Sequence, residues 1–212
     1  MIYAINAWEV ALLERIGQIS FPAWLDVVSL IITFLGGYGV VWLLSGSIFL
    51  FFTKHKAAAI AMLIGFGMTI FLSDLVFKEF FYRPRPFETV EWLYDYVRVA
   101  ATGNSFPSGH ASRSMAAASA FFFSSKSKWR WAFLGMCGLI GLSRVYQLVH
   151  YPTDILVGWT MGILVGLLAA FIAKKGWNWY ENRYGKDTNH DSIPALPTSV
   201  PDDINISEVN EI

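Results

Sequence analysis

The sequence is poor in charge and contains a single cysteine. Only 15% of its 212 residues are Asp, Glu, Lys or Arg, whereas about a quarter of the residues in a typical soluble domain are charged. The 16 basic and 16 acidic residues balance, so the net charge gives no reason to expect a nucleic-acid partner. Cys137 lies within an apolar run. A lone cysteine excludes a disulfide within the chain, and we predict a packed position in a helix for it.

Hydrophobic residues, in contrast, make up 55% of the chain, and the mean hydropathy is +0.45. This composition indicates an all-α integral membrane protein. A helix needs about 20 apolar residues to cross the hydrocarbon of a bilayer. The apolar runs predict five spans, at about residues 25–52, 57–77, 110–125, 131–149 and 155–173. Glycines within these runs predict close helix packing: Gly36, Gly37, Gly39, Gly135, Gly138 and Gly141.

Residues 2–19 form a sixth helical candidate. Apolar side chains recur there at three- and four-residue steps and mark one face of a helix. Glu9, Glu14 and Arg15 make full burial in lipid unfavourable, so this helix either lies in the interface or completes the bundle against other helices. The segment lacks the basic start and apolar core of a cleavable signal peptide, and we expect no cleavage there.

The two ends of the predicted spans differ in charge. Basic residues follow the first, third and fifth spans: Lys54, Lys56, Lys126, Lys128, Arg130, Lys174 and Lys175. The positive-inside rule makes this side cytoplasmic, although the other side carries nearly as many cations. Residues 187–212 contain six acidic residues, three prolines and no Lys or Arg. We therefore predict a membrane domain at residues 1–185 and a disordered acidic cytoplasmic tail at residues 186–212.

A further helix is predicted between the second and third spans. Residues 87–104 carry Val90, Leu93, Tyr94 and Val97 at helical spacing. We predict an interfacial amphipathic helix there, with Trp92 at the level of the lipid headgroups. By the same topology, this helix lies at the outer face.

Three polar segments interrupt the apolar runs: KEFFYRPRP (78–86), SFPSGH (105–110) and SRVYQLVHYPTD (143–154). The predicted topology places all three at the same, outer membrane face, at the ends of neighbouring helices. The segments contribute three cations, Lys78, Arg85 and Arg144. Arginine suits bidentate bonding to phosphate oxygens, and lysine offers a point charge. An anion held at this face is therefore the expected ligand.

The second polar segment adds backbone donors for such an anion. Pro107 fits the first position of a helix, where its missing N–H is not needed. The N–H groups of Ser108, Gly109 and His110 would then point outward from the positive helix end. Gly109 also lets an anion approach the backbone closely. The pattern predicts a phosphate site.

Two histidines accompany the predicted phosphate site. His150 precedes Asp154 by four residues, so the carboxylate could orient one ring nitrogen and leave the other free to attack phosphorus. His110 could protonate the departing oxygen. Taken one at a time, each of these residues is as well explained by an interfacial or structural role. Arg83 and Arg113 have no connection to the site beyond proximity.

A metal site is the third alternative, because two histidines and an aspartate can ligate zinc. Three cations aimed at the same position would repel a divalent ion. We therefore expect no metal and no cofactor.

The three segments together resemble the signature motifs of the type-2 phosphatidic acid phosphatase superfamily, in order and in spacing. The matching residues are Lys78, six intervening residues and Arg85-Pro86; Pro107-Ser108-Gly109-His110; and Ser143-Arg144, five intervening residues, His150, three more and Asp154. Within the superfamily, the chain resembles small bacterial lipid phosphatases of the phosphatidylglycerophosphatase B type. The resemblance implies a six-helix membrane bundle in which residues 2–19 supply the first helix.

The resemblance also implies a mechanism, which is metal-independent hydrolysis through a phosphohistidine. It assigns the nucleophile to His150, the orienting carboxylate to Asp154 and the general acid to His110. The phosphoryl oxygens would be held by Lys78, Arg85, Ser108, Gly109 and Arg144. The substrates of the superfamily include phosphatidylglycerol phosphate, phosphatidic acid and polyprenyl diphosphates such as undecaprenyl diphosphate.

We therefore expect a multi-pass lipid phosphate phosphatase of the cell membrane, with its active site on the extracytoplasmic side. Its partners would be the lipid substrate and the surrounding membrane lipids, with no obligate protein partner. A lipid phosphotransferase using the same phosphohistidine is the nearest rival. An anion or lipid carrier is the other, although a carrier would place ionisable groups near the membrane midplane.

Overall fold

The structure, a computed structural model, describes residues 6–184, apart from the side chains of residues 74 and 75. Within that range the protein is helical and has no β-strand. The α-helices, in chain order, are α1 (Ala7–Gln18), α2 (Ala23–Gly37), α3 (Val40–Phe52), α4 (Lys56–Thr69), α5 (Lys78–Phe80), α6 (Pro86–Thr89), α7 (Gly109–Ser124), α8 (Trp129–Tyr146) and α9 (Pro152–Tyr184), with a π-helical segment at Ile70–Phe77 and a 3-10 helix at Glu91–Tyr96. The predicted tail at residues 186–212 lies outside the described residues.

The described chain divides into two units after Gly176. The first unit contains α1 to α8 and the part of α9 that ends at Gly176. All of the candidate site residues lie in this unit. Of the second unit the structure describes Trp177–Tyr184, the end of α9.

Two described helices are long and apolar enough to cross a membrane. One is the continuous run Lys56–Phe80, made of α4, the π-helical segment and α5, and the other is α9. The pair α2 and α3, which is bent by 52°, adds a third if it is counted as one span. These three agree with predicted spans. Helix α7, with 16 residues, and helix α8 are not counted among them by length and apolar composition.

The first predicted span is interrupted by a bend between α2 and α3. Gly39 has a φ of +88°, in the left-handed region that glycine adopts without strain. The Trp42 indole N–H donates to the carbonyl oxygen of Gly36 (2.9 Å), in the last turn of α2. The predicted span at residues 25–52 is therefore a bent pair of helices and not one continuous helix. Hydropathy could not show this, because the chain stays apolar through the bend.

Helix α9 lies close to α7 along three glycines at four-residue spacing, Gly158, Gly162 and Gly166. A Cβ on Gly158 would lie 2.9 Å from the carbonyl oxygen of Ser108, and one on Gly162 would lie 2.6 Å from that of Ser112. Small residues at this spacing let two membrane helices approach each other closely. The first turns of α7 and α9, which carry site residues, are thereby held together.

The glycines that were predicted to pack closely behave in two ways. Added Cβ atoms on four of them would collide with neighbouring side chains: Gly36, Gly37, Gly39 and Gly141. The prediction is wrong for Gly135 and Gly138, where an added Cβ would have no described atom within 4 Å. Gly135 is exposed and Gly138 is partly exposed, so neither faces a neighbouring helix.

The largest buried cluster is aromatic. Phe49, Phe121 and Phe133 meet edge to face, with ring centroids 4.9 Å apart for the first two and 5.1 Å for the last two. Trp42 and the fully buried Cys137 belong to the same cluster. The predicted packed position of the cysteine is confirmed.

Helix α1 packs against a smaller cluster, at the end of the bundle that carries the polar segments. Leu13 is fully buried there with Leu93, Leu148 and Tyr151. With 12 residues, α1 is about 18 Å long, well short of the roughly 30 Å of hydrocarbon in a bilayer. The described part of this segment packs against other residues of the protein through Leu13 and is too short to cross the hydrocarbon by itself.

The predicted helix at residues 87–104 is only partly present. Helix α6 and the 3-10 helix cover residues 86–96, and no helix follows through residue 104. Arg85 binds the carbonyl oxygens of Thr102 and Gly103 (2.8 and 3.0 Å), and Gly103 has a φ of +69°. These two carbonyl oxygens therefore accept from a side chain and not from the main-chain N–H groups of a helix. Leu93 is the fully buried residue of the 3-10 helix, as its spacing indicated.

Candidate active site

The three polar segments meet, as their predicted topology required. The Ser105 N–H donates to the Arg83 carbonyl oxygen (3.0 Å), which joins the first two segments. The Ser108 N–H donates to the Asp154 carbonyl oxygen (3.1 Å), which joins the second and third. Arg85 donates through Nη1 to the carbonyl oxygen of Val149 (2.9 Å) and joins the first to the third.

His150 and Asp154 lie side by side in the third segment. His150 occupies the turn between α8 and α9 and is 3% exposed, and Asp154 lies in the first turn of α9 with no exposed surface. The Nδ1 atom of His150 is 3.4 Å from Asp154 Oδ2. This distance is long for a hydrogen bond, and Nδ1 has no other partner among the described residues. The carboxylate thus faces one ring nitrogen, Nδ1, and does not engage the other, Nε2.

Both oxygens of Asp154 are held by other groups. Oδ2 accepts the Tyr151 N–H (2.9 Å), which caps the start of α9, and Oδ1 accepts from Arg83 Nη1 (2.5 Å). The Arg83 guanidinium lies 4.1 Å from the centre of the Tyr151 ring. Helix α9 begins at Pro152, so Thr153 lies inside the first turn, where its N–H and hydroxyl bind Glu9.

Helix α7 begins two residues later than predicted. Its first residue is Gly109, and Ser108 is the N-cap, whose Oγ accepts the Ala111 N–H (3.5 Å). Pro107 therefore precedes the cap. Because the Ser108 N–H is bonded to Asp154, the N–H groups of Gly109 and His110 are the main-chain donors left at this helix end.

His110 lies in the first turn of α7 and is partly exposed. Its ring packs against the end of α2, where a Cβ on Gly37 would collide with the ring atoms Cδ2 and Nε2. The Tyr38 ring meets it edge on, with ring centroids 6.2 Å apart. The bend between α2 and α3 therefore forms one wall of the site, and the absence of a side chain at residue 37 makes room for the histidine.

Arg144 is fixed by a buried polar network between α8 and α2. It is 4% exposed, and its Nη1 donates to Gln147 Oε1 (2.8 Å). The Gln147 amide nitrogen donates in turn to Thr33 Oγ1 (3.1 Å) and Ser29 Oγ (3.2 Å) of α2. Arg144 lies within electrostatic range of both histidines.

Arg85 is more constrained than a pure phosphate ligand would be. Three of its five N–H groups donate to the carbonyl oxygens of Thr102, Gly103 and Val149. The side chain therefore fixes the loop before α7 and the turn that carries His150. Two N–H groups remain for an anion, and the charge of Arg85 acts on His150.

Lys78 and Arg113 lie at the margin of the site, where the charge of each acts on His110. The Lys78 carbonyl oxygen accepts from the Asn104 side chain (2.8 Å). Arg113 donates through Nε to the Gly109 carbonyl oxygen (2.9 Å). The structure thus brings Lys78 to the site, as predicted, together with Arg113, which the sequence left unconnected.

Burial lowers the pKa of His150 to about 4. The Asp154 carboxylate raises this pKa and the Arg144 charge lowers it, but removal from water is the largest effect. His150 is therefore a neutral imidazole at physiological pH. Only the neutral ring has a free lone pair with which to attack phosphorus.

The donor set of the site favours an anion over a divalent metal ion. The Asp154 oxygens already bind Arg83 and the Tyr151 N–H, and the charges of Arg85 and Arg144 act on His150. Among the side chains that the structure describes, which leave out Asp74, no three His, Cys, Asp or Glu are grouped closely enough to hold a metal. The surplus of positive charge attracts phosphate.

Five residues at the site were not identified from the sequence: Glu9, Gly37, Arg83, Arg113 and Gln147. The signal for Glu9 is its place on the buried face of α1, four residues before Leu13. A carboxylate on an apolar face needs a partner. No signal within the sequence indicates that Arg83, and not only Arg85, lies next to the aspartate.

Known proteins resemble the chain in sequence and in fold. Residues 58–177 match the PAP2 superfamily. An undecaprenyl-diphosphatase of Sulfolobus acidocaldarius is 33% identical over 150 residues, which are 69% of this chain and 71% of the relative. Several further curated relatives are spanned over only 50 to 60% of their own length.

Two crystal structures share the fold. LpxE of Aquifex aeolicus is 28% identical with a TM-score of 0.60, over 80% of this chain and 98% of LpxE. A transmembrane PAP2 type phosphatidylglycerolphosphate phosphatase of Bacillus subtilis is 26% identical with a TM-score of 0.58, over 80% of this chain and 86% of the other.

Proposed function

Since the chain belongs to the PAP2 superfamily, we propose that it hydrolyses lipid phosphates or diphosphates at one face of a membrane through a phosphohistidine. The resemblance predicted from the three motifs is confirmed by that match. One observation carries the proposal: a buried neutral histidine, His150, lies against Asp154 within electrostatic range of Arg144 and Arg85. A nucleophile, its orienting carboxylate and cations for the phosphoryl oxygens are thereby combined in one place.

The first step transfers the phosphoryl group to the enzyme. His150 Nε2 forms a bond to phosphorus while the bond from phosphorus to the leaving oxygen breaks. The ring keeps its proton on Nδ1, and the resulting positive charge faces Asp154. His110 donates a proton to the leaving oxygen, so the lipid departs as an alcohol or, from a diphosphate, as a lipid monophosphate.

The second step releases the phosphate. A water molecule attacks phosphorus and gives its proton to His110, and the bond from phosphorus to Nε2 breaks. Free phosphate leaves, and both histidines return to their initial states. The negative charge on the phosphoryl oxygens is balanced by Lys78, Arg85 and Arg144 and by the N–H groups of Gly109 and His110. For Ser108 we propose an indirect part, the capping of the helix that presents these N–H groups.

An apolar groove beside the site suits a lipid. Its volume is about 340 Å³, and it begins at Pro107, next to the start of α7. The lining is mostly hydrophobic: Phe77, Phe81, Phe106, Val157, Thr160, Met161 and Leu164. A lipid whose alkyl or prenyl chain lay in this groove would bring its phosphate to the start of α7. The names of the relatives, an undecaprenyl-diphosphatase and a phosphatidylglycerolphosphate phosphatase, fit this substrate class.

We also propose that the protein is a multi-pass bundle of six helical units: α1, the pair α2–α3, the run Lys56–Phe80, α7, α8 and α9. The site would face the extracytoplasmic side. His55, in the turn before α4, bonds Ser125 at the end of α7 away from His110 (3.0 Å). This bond joins two turns rich in Lys and Arg, and the positive-inside rule makes that end cytoplasmic.

The decisive experiment measures phosphate release by the purified protein from a panel of lipid phosphates, with EDTA present throughout. We expect release from at least one lipid monophosphate or diphosphate and none from the His150→Ala variant. We expect EDTA to leave the rate unchanged, because the site is built from cations. A rate that EDTA abolishes and a divalent ion restores would contradict the metal-free mechanism. Diversion of the phosphoryl group to an added lipid alcohol would identify a phosphotransferase instead.

A further inference from the structure

Glu9 of α1 is a fully buried carboxylate whose oxygens are both bonded. Oε1 accepts the N–H (2.9 Å) and the hydroxyl (2.7 Å) of Thr153, in the first turn of α9. Oε2 accepts from Arg83 Nη2 (2.8 Å) and from the Asn6 side chain (2.9 Å). A carboxylate without exposed surface is stable as an ion only with such partners. The short N-terminal helix is thus bonded to the helix that carries Asp154.

Arg83 bridges Glu9 and Asp154. One end of its fork binds Glu9 through Nη2, and the other binds Asp154 through Nη1. Arg83 itself is 2% exposed, so water does not screen these pairs. The three side chains form a buried row with two negative charges and one positive charge. Its net charge is −1.

The charge of this row matters for His150. In the first chemical step the His150 ring becomes positively charged, and the nearby carboxylate stabilises that charge. An arginine bonded to the same carboxylate opposes this effect, because it cancels the charge of Asp154 at short range. Glu9 binds the arginine from the other side and restores a net negative charge to the row.

We propose that Glu9 is a positioning residue of the reaction, which acts through Arg83 to keep the charge of Asp154 available to His150. The inference rests on the proposed function. The N-terminal helix is then part of the catalytic apparatus, although it contributes no atom that would touch the substrate.

The test compares kcat and KM of the full chain for Glu9→Gln, Arg83→Gln and the double variant, with Glu14→Gln on the same helix as the matched control. Glu9→Gln keeps the shape but makes the row neutral, and we expect kcat to fall by about 10- to 100-fold. We expect KM to stay nearly constant, because the phosphate-binding cations are unchanged. Glu14→Gln should behave like the wild type.

The double variant gives the distinguishing result. It removes one negative and one positive charge and returns the row to −1, so we expect it to be several-fold more active than Glu9→Gln, in which the row is neutral. A purely structural role for Glu9 predicts the opposite, because two lost partners destabilise at least as much as one. If Glu9→Gln fails to fold, the double variant is compared with the wild type, which has the same row charge, and a kcat lower by about 10-fold or more overturns the inference.

Activity is expressed per folded molecule, with thermal unfolding in detergent as the measure of folding. A Glu9→Gln variant with wild-type kcat, or a double variant no better than Glu9→Gln, overturns the inference while the function stands. A wild-type protein that releases no phosphate from any lipid phosphate overturns the proposed function and the inference with it.

Discussion

The main-chain N–H of Ser108 donates to the carbonyl oxygen of Asp154 at a distance of 3.1 Å. This bond ties the first turn of α7, which carries His110, to the first turn of α9, four residues after His150. The contacts of Gly158 and Gly162 with α7 hold the same two turns together. The two turns that carry the histidines are therefore fixed to each other, as the proposed attack and protonation on opposite sides of one phosphorus atom require.

His150→Ala should abolish turnover and leave no phosphoenzyme, because the nitrogen that attacks phosphorus is gone. We expect a loss on the order of 10⁴-fold or more, measured as phosphate release and as incorporation of labelled phosphate into the protein. The matched control is His55→Ala, since His55 bonds Ser125 at the other end of α7. That variant should keep its activity. Phosphoenzyme formation by His150→Ala would contradict the assignment of the nucleophile.

His110→Ala should impair the enzyme in a way that depends on the leaving group. A lipid alcohol leaves poorly and needs a proton in the transition state, whereas an activated aryl phosphate leaves as a stable phenolate. We expect a much larger loss on a lipid monophosphate than on the aryl phosphate. The rate of phosphoenzyme formation is the quantity to compare, because His110 also activates water in the second step.

The same comparison for His150→Ala provides the control, since the nucleophile is needed for both substrates and both rates should vanish. Equal losses on the two substrates for His110→Ala would instead make His110 a phosphate-binding residue.

The pH dependence should show a nucleophile that stays neutral in mild acid. Burial lowers the pKa of His150 to about 4, so kcat/KM should fall only as the pH approaches 4, and not near the ordinary histidine value of about 6.5. In the same window the unfolded chain binds a proton that the folded chain does not. The free energy of unfolding should therefore decrease from pH 6.5 toward 4, by about 3 kcal/mol from this residue. A fall in kcat/KM near pH 6.5 would instead show that His150 is in contact with water and keeps an ordinary pKa.

Gly37→Ala should displace the His110 ring, because the added methyl group would occupy the position of the ring atoms Cδ2 and Nε2. We expect kcat to fall by about 10- to 100-fold, as for a misplaced catalytic group, and the free energy of unfolding to fall by about 1–3 kcal/mol. Gly135→Ala is the matched control, since an added Cβ there has no described neighbour within 4 Å. Wild-type kcat in Gly37→Ala would show that the His110 ring can shift away from the added methyl group without loss of activity.

The sequence predicted the meeting of the three polar segments because motif order and helix ends are local features. It did not reveal the bend between α2 and α3, because the residues on both sides are equally apolar. It also predicted too much helix after residue 96. In that segment, hydrogen bonds from a residue outside it compete with helix formation, because Arg85 donates to the carbonyl oxygens of Thr102 and Gly103.

Some residues of the site could likewise be predicted from the sequence. His110, His150 and Asp154 stood out by spacing, and their roles remain predictions that the experiments above test. Arg83 could not be told from an ordinary headgroup contact, because its partners Glu9 and Asp154 are 74 and 71 residues away in sequence. For the same reason Gln147 was assigned no role at the site, although it fixes Arg144 through a network that reaches α2.

The row Glu9, Arg83 and Asp154 also constrains how the protein is made. Chains emerge from the ribosome N-terminus first, so Glu9 is synthesised long before the two residues that surround it. An unpaired carboxylate is unfavourable inside a membrane bundle, and Thr153, which binds Glu9 Oε1, lies 144 residues further on. A nascent chain that stops short of α9 lacks two of the four bonds to the Glu9 carboxylate, those from Thr153. Closure of this row therefore marks the completion of the bundle.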